Sequence, residues 1–373
     1  MDKSINNPSP ALAGRITSVD FFRGFTMFLL IGESTRLYEH LRAVEGSGII
    51  NFLGTQLEHH DWHGMYFWDL IQPFFMFIVG VAIPFAVANR RKKGESEKSL
   101  VLHAVKRSLL LLFFGWALYC IEPGHIVFRF QNVLAQLAVT YLVAFLLRNK
   151  SFSFQIIFTL VILLLIDLAY RFFPVEGFNH PWEPFQNLGS WVNNKIEGVD
   201  KSDIWASLNA VSTTAHTVWG VLCGKILMSN RTSGQKIRTM IIAGIAGLII
   251  GYSLDFLSIT PIIKKIATAS FVFTSGGYAI LALSFCYWLI DVKKMFKKGS
   301  QFFIIVGMNC IFIYLLFNVG GADILTNIFT PFTKLFFSWG GEILVGIATS
   351  LAVWAALWYI CYWLYKNSIF IKI

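Results

Sequence analysis

The chain has 373 residues, of which 55% are hydrophobic and only 14% charged, and a mean hydropathy of +0.61; that balance excludes a water-soluble two-domain protein. The net charge of +10 would point to nucleic acid in a soluble chain. In so apolar a chain it asks instead which side of a bilayer the cations occupy, and no nucleic-acid partner is expected. Apolar runs of about 20 residues, enough to cross a hydrocarbon core about 30 Å thick, recur with short polar connections. They lack the apolar/polar alternation of an outer-membrane barrel. The expected fold class is therefore all-α: a polytopic protein of the lipid bilayer, with one transmembrane domain over 1–373.

In chain order, a polar tail over 1–17 precedes about ten spans, predicted near 18–40, 66–89, 103–121, 130–147, 152–173, 205–228, 237–258, 266–290, 299–318 and 341–365. The tail lacks an apolar core and a cleavage site, so the first span is its own insertion signal. Of the 31 lysines and arginines, 21 fall with the two termini and the even-to-odd connections, and nine on the other side; Arg23 lies inside the first span. The positive-inside rule then makes both termini cytosolic and turns the loops at 41–65 and 174–204 outward. Residues 322–338, broken by polar residues and Pro331, read as an interfacial or re-entrant outer segment. Gly220 with Gly224, and Gly247 with Gly251, have the spacing of close helix packing. Cys120, Cys223, Cys286, Cys310 and Cys361 lie in or at the ends of apolar runs and read as free packing residues.

An ionisable group at membrane depth costs at least a few kcal/mol unless it has a partner, water or a task, which makes such groups the best site markers here. Asp20 and Arg23 share a helical face and can neutralise each other. Glu33 has no cation close in sequence and reads either as lining an outward cavity or as one half of a buried structural pair. The cluster Glu58-His59-His60-Asp61-Trp62-His63 sits at the outer end of the second span, with Asp69 just inside it. Histidine can take and give a proton near neutral pH, and Asp69 can hold its tautomer or stabilise its cation. Solvated histidines without a task remain an alternative. So does a metal held by His59 and His63 on one helical turn, although a third ligand would have to come from another face; no metal is expected. Pro73 and Pro84 fall within the second span, where a missing backbone donor tends to bend the helix. Asn132, Gln136, Asp167, His216, Asp255 and Asn309 read chiefly as interhelical hydrogen-bond partners.

Five stretches in order resemble the heparan-alpha-glucosaminide N-acetyltransferase family and its bacterial relatives, in particular an uncharacterised DUF5009-like subgroup. They are R-I-T-S-V-D-F-F-R-G from Arg15 to Gly24; His59-x-x-Trp62-x-Gly64 with Asp69-Leu70 and Pro73-Phe74-Phe75-x-Phe77-Ile78-x-Gly80; Asn132-Val133-Leu134 with Tyr141; Pro261-Ile262-Ile263-Lys264-Lys265 with Thr268 and Ser270-Phe271-Val272; and Gly307-Met308-Asn309 with Tyr314. The chain departs from the pattern at Glu33-Ser34, where better-studied members have asparagine, at Ile263 in place of asparagine and at Ala267 in place of tryptophan.

The resemblance implies a multi-pass acetyltransferase of a bacterial inner (plasma) membrane that takes acetyl from cytosolic acetyl-CoA and delivers it to the amine of an amino sugar of glucosamine type on the far side. It carries the active-site histidine over to His59 and its aspartate to Asp69. Glu33, Ser34, Trp62, His63, Asn132 and Asn309 become candidates for the acceptor site, and Lys264, Ser270 and Arg23 for the acetyl-CoA site, with the thioester held between the first, second and fourth spans. Arg90 to Lys93 would attract the CoA phosphates, and relatives pair as dimers, so a homodimer is expected. A rival from another class is a proton-coupled transporter of amino sugars or oligosaccharides, with Asp69, Glu33 and His59 as its binding site and no acyl transfer.

Overall fold

The structure, a computed structural model, describes residues 16–44 and 48–371. Arg15 and the rest of the expected N-terminal tail up to that point, and Lys372, lie outside the described residues. The elements are α1 (Thr17–Ser34), α2 (Leu37–Arg42), α3 (Gly48–Gln56), α4 (Ile71–Lys92), α5 (Glu97–Tyr119), α6 (Val133–Leu147), α7 (Phe152–Arg171), α8 (Leu188–Glu197), α9 (Asn209–Met228), α10 (Ser233–Phe256), α11 (Ala269–Cys286), α12 (Lys297–Met308), α13 (Cys310–Leu316), α14 (Ala322–Phe337) and α15 (Gly341–Lys366). Among the described residues there is no strand, only a bridge between His63 and Ile263.

The surface is apolar where the helices are most apolar. On α7 and α10, Ile157, Leu164, Leu165, Ile242 and Ile249 are all more than 40% exposed. Water does not tolerate so continuous an apolar face; hydrocarbon does. Among the described residues six segments are long and apolar enough to cross a membrane: Phe67–Lys92, Glu97–Tyr119, Phe152–Arg171, Ser233–Phe256, Ala269–Val292 and a stretch within Cys310–Lys366. Each of the ten expected spans meets a helix, yet four do not stand out in this way, for physical reasons. The first, α1, carries Asp20, Arg23 and Glu33. The fourth, α6, has 15 residues. The sixth, α9, is rich in Ser and Thr and almost wholly buried, so its polar groups are satisfied by protein rather than hidden from lipid. The ninth is broken: α12 stops at Met308 and α13 begins at Cys310, with Asn309 between them.

At the centre α4 lies against α9. Gly80 and Gly220 face each other so closely that a methyl group on either would overlap the opposite backbone, the Thr217 carbonyl for Gly80 and that of Phe77 for Gly220. Gly224 meets Val81 and Pro84, while Gly247 and Gly251 admit α11 in the same way. Both glycine pairs therefore serve close packing. The five cysteines are unpaired.

Two expectations about elements change, and a third, the segment 322–338, gains detail. Pro73 does not bend a span: the chain runs from a 3-10 turn (Phe67–Leu70) into α4 at Ile71, so Pro73 sits in the first turn, where its missing N–H has no intrahelical partner to lose. Only Pro84 lies in the helix interior. Residues 322–337 form α14, packed along α15 and turning Ile324, Ile328, Phe332 and Leu335 outward. The stretch 174–204 carries α8, and 41–65 carries all of α3 and the end of α2.

α4, about 33 Å long at 1.5 Å per residue, separates two chemically distinct ends. Asp69 lies just before its N-terminus. At its C-terminus Arg90 and Arg91 meet the start of α5 through Glu95 and Glu97, and Arg148 joins Glu97 at 2.5 Å.

Candidate active site

Residues 58–66 are not helical: they form an irregular strap. It is stapled at three points, two on the segment 257–268 and one on the last turn of α10 before it. Gly64 N–H donates to Ile262 O at 2.9 Å, His63 Nε2 meets Asp255 Oδ1 at 2.8 Å, and Lys265 Nζ donates to Asp61 O at 2.6 Å. Gly64 has φ +131° and would push a Cβ into the His60 ring, so only glycine serves at this crossing. The second segment is held by its own hydroxyls: Ile263 N donates to Thr268 Oγ1 at 3.0 Å and Ser270 Oγ to Pro261 O at 2.7 Å. These staples bring Lys264 to His59 across 205 positions of sequence.

Asp69 is fully buried. Its Oδ2 accepts the backbone N–H groups of Tyr66 at 2.9 Å and His60 at 3.2 Å, which aims Oδ1 at His59 Nδ1, 3.1 Å away. Lys264 Nζ stands 3.0 Å from the same Nδ1 and 3.3 Å from Asp69 Oδ1, with the Trp205 ring 5.3 Å away. Burial pushes the Lys264 ammonium below the ordinary lysine range, opposed by Asp69 and Glu33. The His59 ring, 40% exposed, turns Nε2 towards Glu33 Oε1 at 3.8 Å, and that carboxylate accepts Trp68 Nε1–H at 2.7 Å.

His59, Glu33, Lys264, Trp205, Tyr119 and Tyr314 line a cavity of about 250 Å³. Its helical walls come from α1, α4, α6 and α13 and the last residue of α5, and so include the first, second and fourth expected spans. A buried carboxylate backs an imidazole whose other nitrogen opens on a cavity, and a second carboxylate stands opposite. Such a set can orient a base, accept a proton and hold a cation.

Several sequence candidates stand elsewhere. Ser34 Oγ donates to Ile31 O at 2.7 Å and closes α1. Trp62 Nε1 donates to Trp182 O at 2.7 Å, away from the cavity. His63, tied to Asp255, points away from His59, because a strap has no helical face to align them; among the described residues no group of three or more metal-ligating side chains forms. Ser270 is fully buried as a segment tie. Asn132 lines the cavity, but its amide caps α6 through Ala135 N at 3.0 Å and bonds the Gly115 carbonyl. Asn309 bridges the α12/α13 break to the C-terminal segment, donating to Ile369 O at 3.1 Å and accepting from Ile371 N at 2.9 Å. Gln136 bonds Gln72 at 2.5 Å, Asp167 bonds Arg171 at 2.5 Å, and His216 meets Ser275 at 2.8 Å. Lys264, read in sequence as an acetyl-CoA contact, stands in the His59 cluster.

A larger cavity, about 550 Å³, lies at the opposite end of α4 and is lined by Arg23, Arg90, Lys92, His103, Arg107 and Tyr141 among others. Arg23 pairs with Asp20 at 2.7 Å. Arg107 lies over the Tyr141 ring at 4.6 Å. The Nε atoms of Arg23 and Arg107 are buried without a protein partner. Trp205, Tyr119, Tyr314 and Gln72 were missed by sequence reasoning. With 36 Phe, 12 Trp and 12 Tyr in the chain, no aromatic announces itself; only Tyr314, inside a quoted motif, carried a signal.

An all-helical bundle with apolar outer faces and a polar His-Asp-Lys-Glu pocket at one end defines a multi-pass membrane protein with a candidate catalytic centre. Residues 15–156 match a family described as a domain of unknown function, DUF5009. Over 97% of its length the chain is 26% identical to heparan-alpha-glucosaminide N-acetyltransferase of Mus musculus and 25% identical to that of Homo sapiens. It spans 61% and 60% of those two proteins, about three fifths of their length. The chain is thus a distant relative of heparan-alpha-glucosaminide N-acetyltransferase.

Proposed function

We propose that this protein transfers an acetyl group from acetyl-CoA at the basic end of the bundle to the amine of an amino sugar at the His59 end. The observation that carries this reading is the stacking of two unlike cavities on the same helices. On α4 their linings part between Gln72 and Phe75, on α13 between Ile311 and Tyr314, and on α6 between Val133 and Leu134. That is at most three residues, about 4.5 Å of helix rise. The larger cavity offers what a nucleotide-bearing thioester needs: arginines with unpartnered buried donors and an apolar wall beyond them. The smaller offers a base and a carboxylate for an ammonium-bearing acceptor.

In this reading Glu33 receives the ammonium, and Asp69 holds the Nδ1–H of His59 so that Nε2 takes the acceptor's proton. The freed amine attacks the thioester carbonyl. The N–C bond forms, the C–S bond breaks, and the CoA thiolate leaves, to be protonated by the imidazolium; the second proton, shed by the nitrogen on acylation, is taken up by the ring thus discharged and passes from it to water. The basic end faces the cytosol, the expected inner membrane is a bacterial plasma membrane, and amino sugars of glucosamine type are the acceptor class.

The test uses purified protein in liposomes with radiolabelled acetyl-CoA and glucosamine. Labelled N-acetylglucosamine is the expected product. Glucosamine uptake in the absence of acyl-CoA, with no acetylated product, would replace this reading with that of a permease.

A further inference from the structure

Lys264 and Asp69 both address the same ring nitrogen of His59, at 3.0 and 3.1 Å, although Nδ1 has only one in-plane position, filled by either a lone pair or a hydrogen. A lone pair accepts from the ammonium and leaves the ring's hydrogen on Nε2. A hydrogen donates to the carboxylate and leaves Nε2 bare. Only the second form presents a base to the cavity. Lys264 and Asp69 are also within 3.3 Å of each other, so the ammonium has a carboxylate to fall back on when it releases the ring.

Resting on the proposed role of His59, we infer that Lys264 is a positioning residue that gates the base: its ammonium competes with Asp69 for Nδ1 and so selects between the Nε2–H and Nδ1–H tautomers of His59. Exchange moves one proton. Nε2–H is released to water at the exposed face of the ring, Nδ1 takes one up, and the ring is neutral before and after. Lys264 is well built for a short swing. It is only 6% exposed, it lies near the Trp205 face, and burial already weakens its hold on its own proton. The titratable and charged groups around the ring are Glu33 of α1, Asp69 before α4, Lys264 with Lys265 behind it, and the phenols of Tyr119 and Tyr314. Lys264 is the one cation among them in contact with the ring, and Lys265 is engaged by Asp61 O.

The experiment reads the ring directly, by ¹⁵N NMR of the imidazole in the full chain, together with the pH profile of kcat/KM. The wild type is expected to show a substantial Nε2–H population. In Lys264→Met, Nδ1–H on Asp69 should become the sole neutral tautomer, and the acid limb of the profile should move to higher pH by about one to two units, since a cation has left a neighbouring site. Lys264→Gln, which keeps a donor without the charge, is the second variant should the Met variant fold poorly. It should raise the acid limb while retaining part of the Nε2–H population. An unchanged tautomer and an unmoved acid limb, with kcat/KM merely lowered at every pH, would make Lys264 structural and overturn the inference while leaving His59 in place. Full activity in His59→Ala would instead remove the base itself. The NMR measurement decides the tautomer question whether or not the acceptor is known.

Discussion

The two ends of α4 hold opposite solutions to the problem of charge in an apolar protein. At the Asp69 end the ionic groups are few, close and mutually satisfied: an aspartate held by two backbone N–H groups, a buried lysine against it and an imidazole touching both. At the Arg90 end the cavity is about twice as large, cations outnumber anions, and the Nε atoms of Arg23 and Arg107, which line it, and of nearby Arg148 are buried without a partner. A satisfied cluster positions atoms for chemistry; an unsatisfied one waits for an anion. Chemistry is therefore assigned to the first end and donor binding to the second, and substitutions at the two ends should fail in different ways.

The largest effect is expected from His59→Ala. With the base gone, kcat should fall by about 10²- to 10⁴-fold, while the ring's 40% exposure means little packing is lost and the melting temperature in detergent should change little. Next, Asp69→Asn keeps one acceptor for the backbone N–H groups but loses the charge behind Nδ1. Turnover should drop about tenfold or more with the KM for acetyl-CoA near the wild-type value; a change confined to KM would move Asp69 to the donor site. At the other end, Arg90→Gln with Arg107→Gln should raise the KM for acetyl-CoA about three- to tenfold with kcat preserved, and added salt should narrow the gap between variant and wild type. A fall in kcat alone would erase the contrast between the ends. The smallest effect belongs to His63→Ala. Because His63 bonds Asp255 outside the cavity, activity should stay within about twofold of wild type, and a loss comparable to that of His59→Ala would restore it to the site.

How much of this was legible in the sequence follows from how far each interaction reaches. Hydropathy marks helices because a run of about 20 apolar residues is a local signal, and every expected span meets one. Helix breaks are less visible: the interruption at Asn309 depends on Ile369 and Ile371, 60 and 62 positions away. Pro73 reads as a kink in sequence because the apolar run begins at 66, before a 3-10 turn that hydropathy cannot see. His59 and Asp69 were legible as a pair because ten residues of strap and turn fold back locally. Lys264 carried a motif signal, yet its partner lies across the 257–268 segment, whose path is set by Thr268 and Ser270 rather than by any local pattern. Trp62, Ser270 and Asn309 stand out as polar or indole groups in resembling stretches, and Ser34 as a departure from the pattern. Each turned out to satisfy a carbonyl or an N–H of the scaffold, the usual fate of a buried donor.

The most direct measurement is a side-resolved transfer assay in liposomes of known protein orientation. Labelled acetyl-CoA is supplied to one face, glucosamine is enclosed on the other, and wild type is compared with His59→Ala. Labelled N-acetylglucosamine should appear only when the donor meets the Arg90 end and the acceptor the His59 end, and should vanish in His59→Ala. Equal product from both proteins, or product with the donor restricted to the His59 end, would contradict transfer between the two cavities.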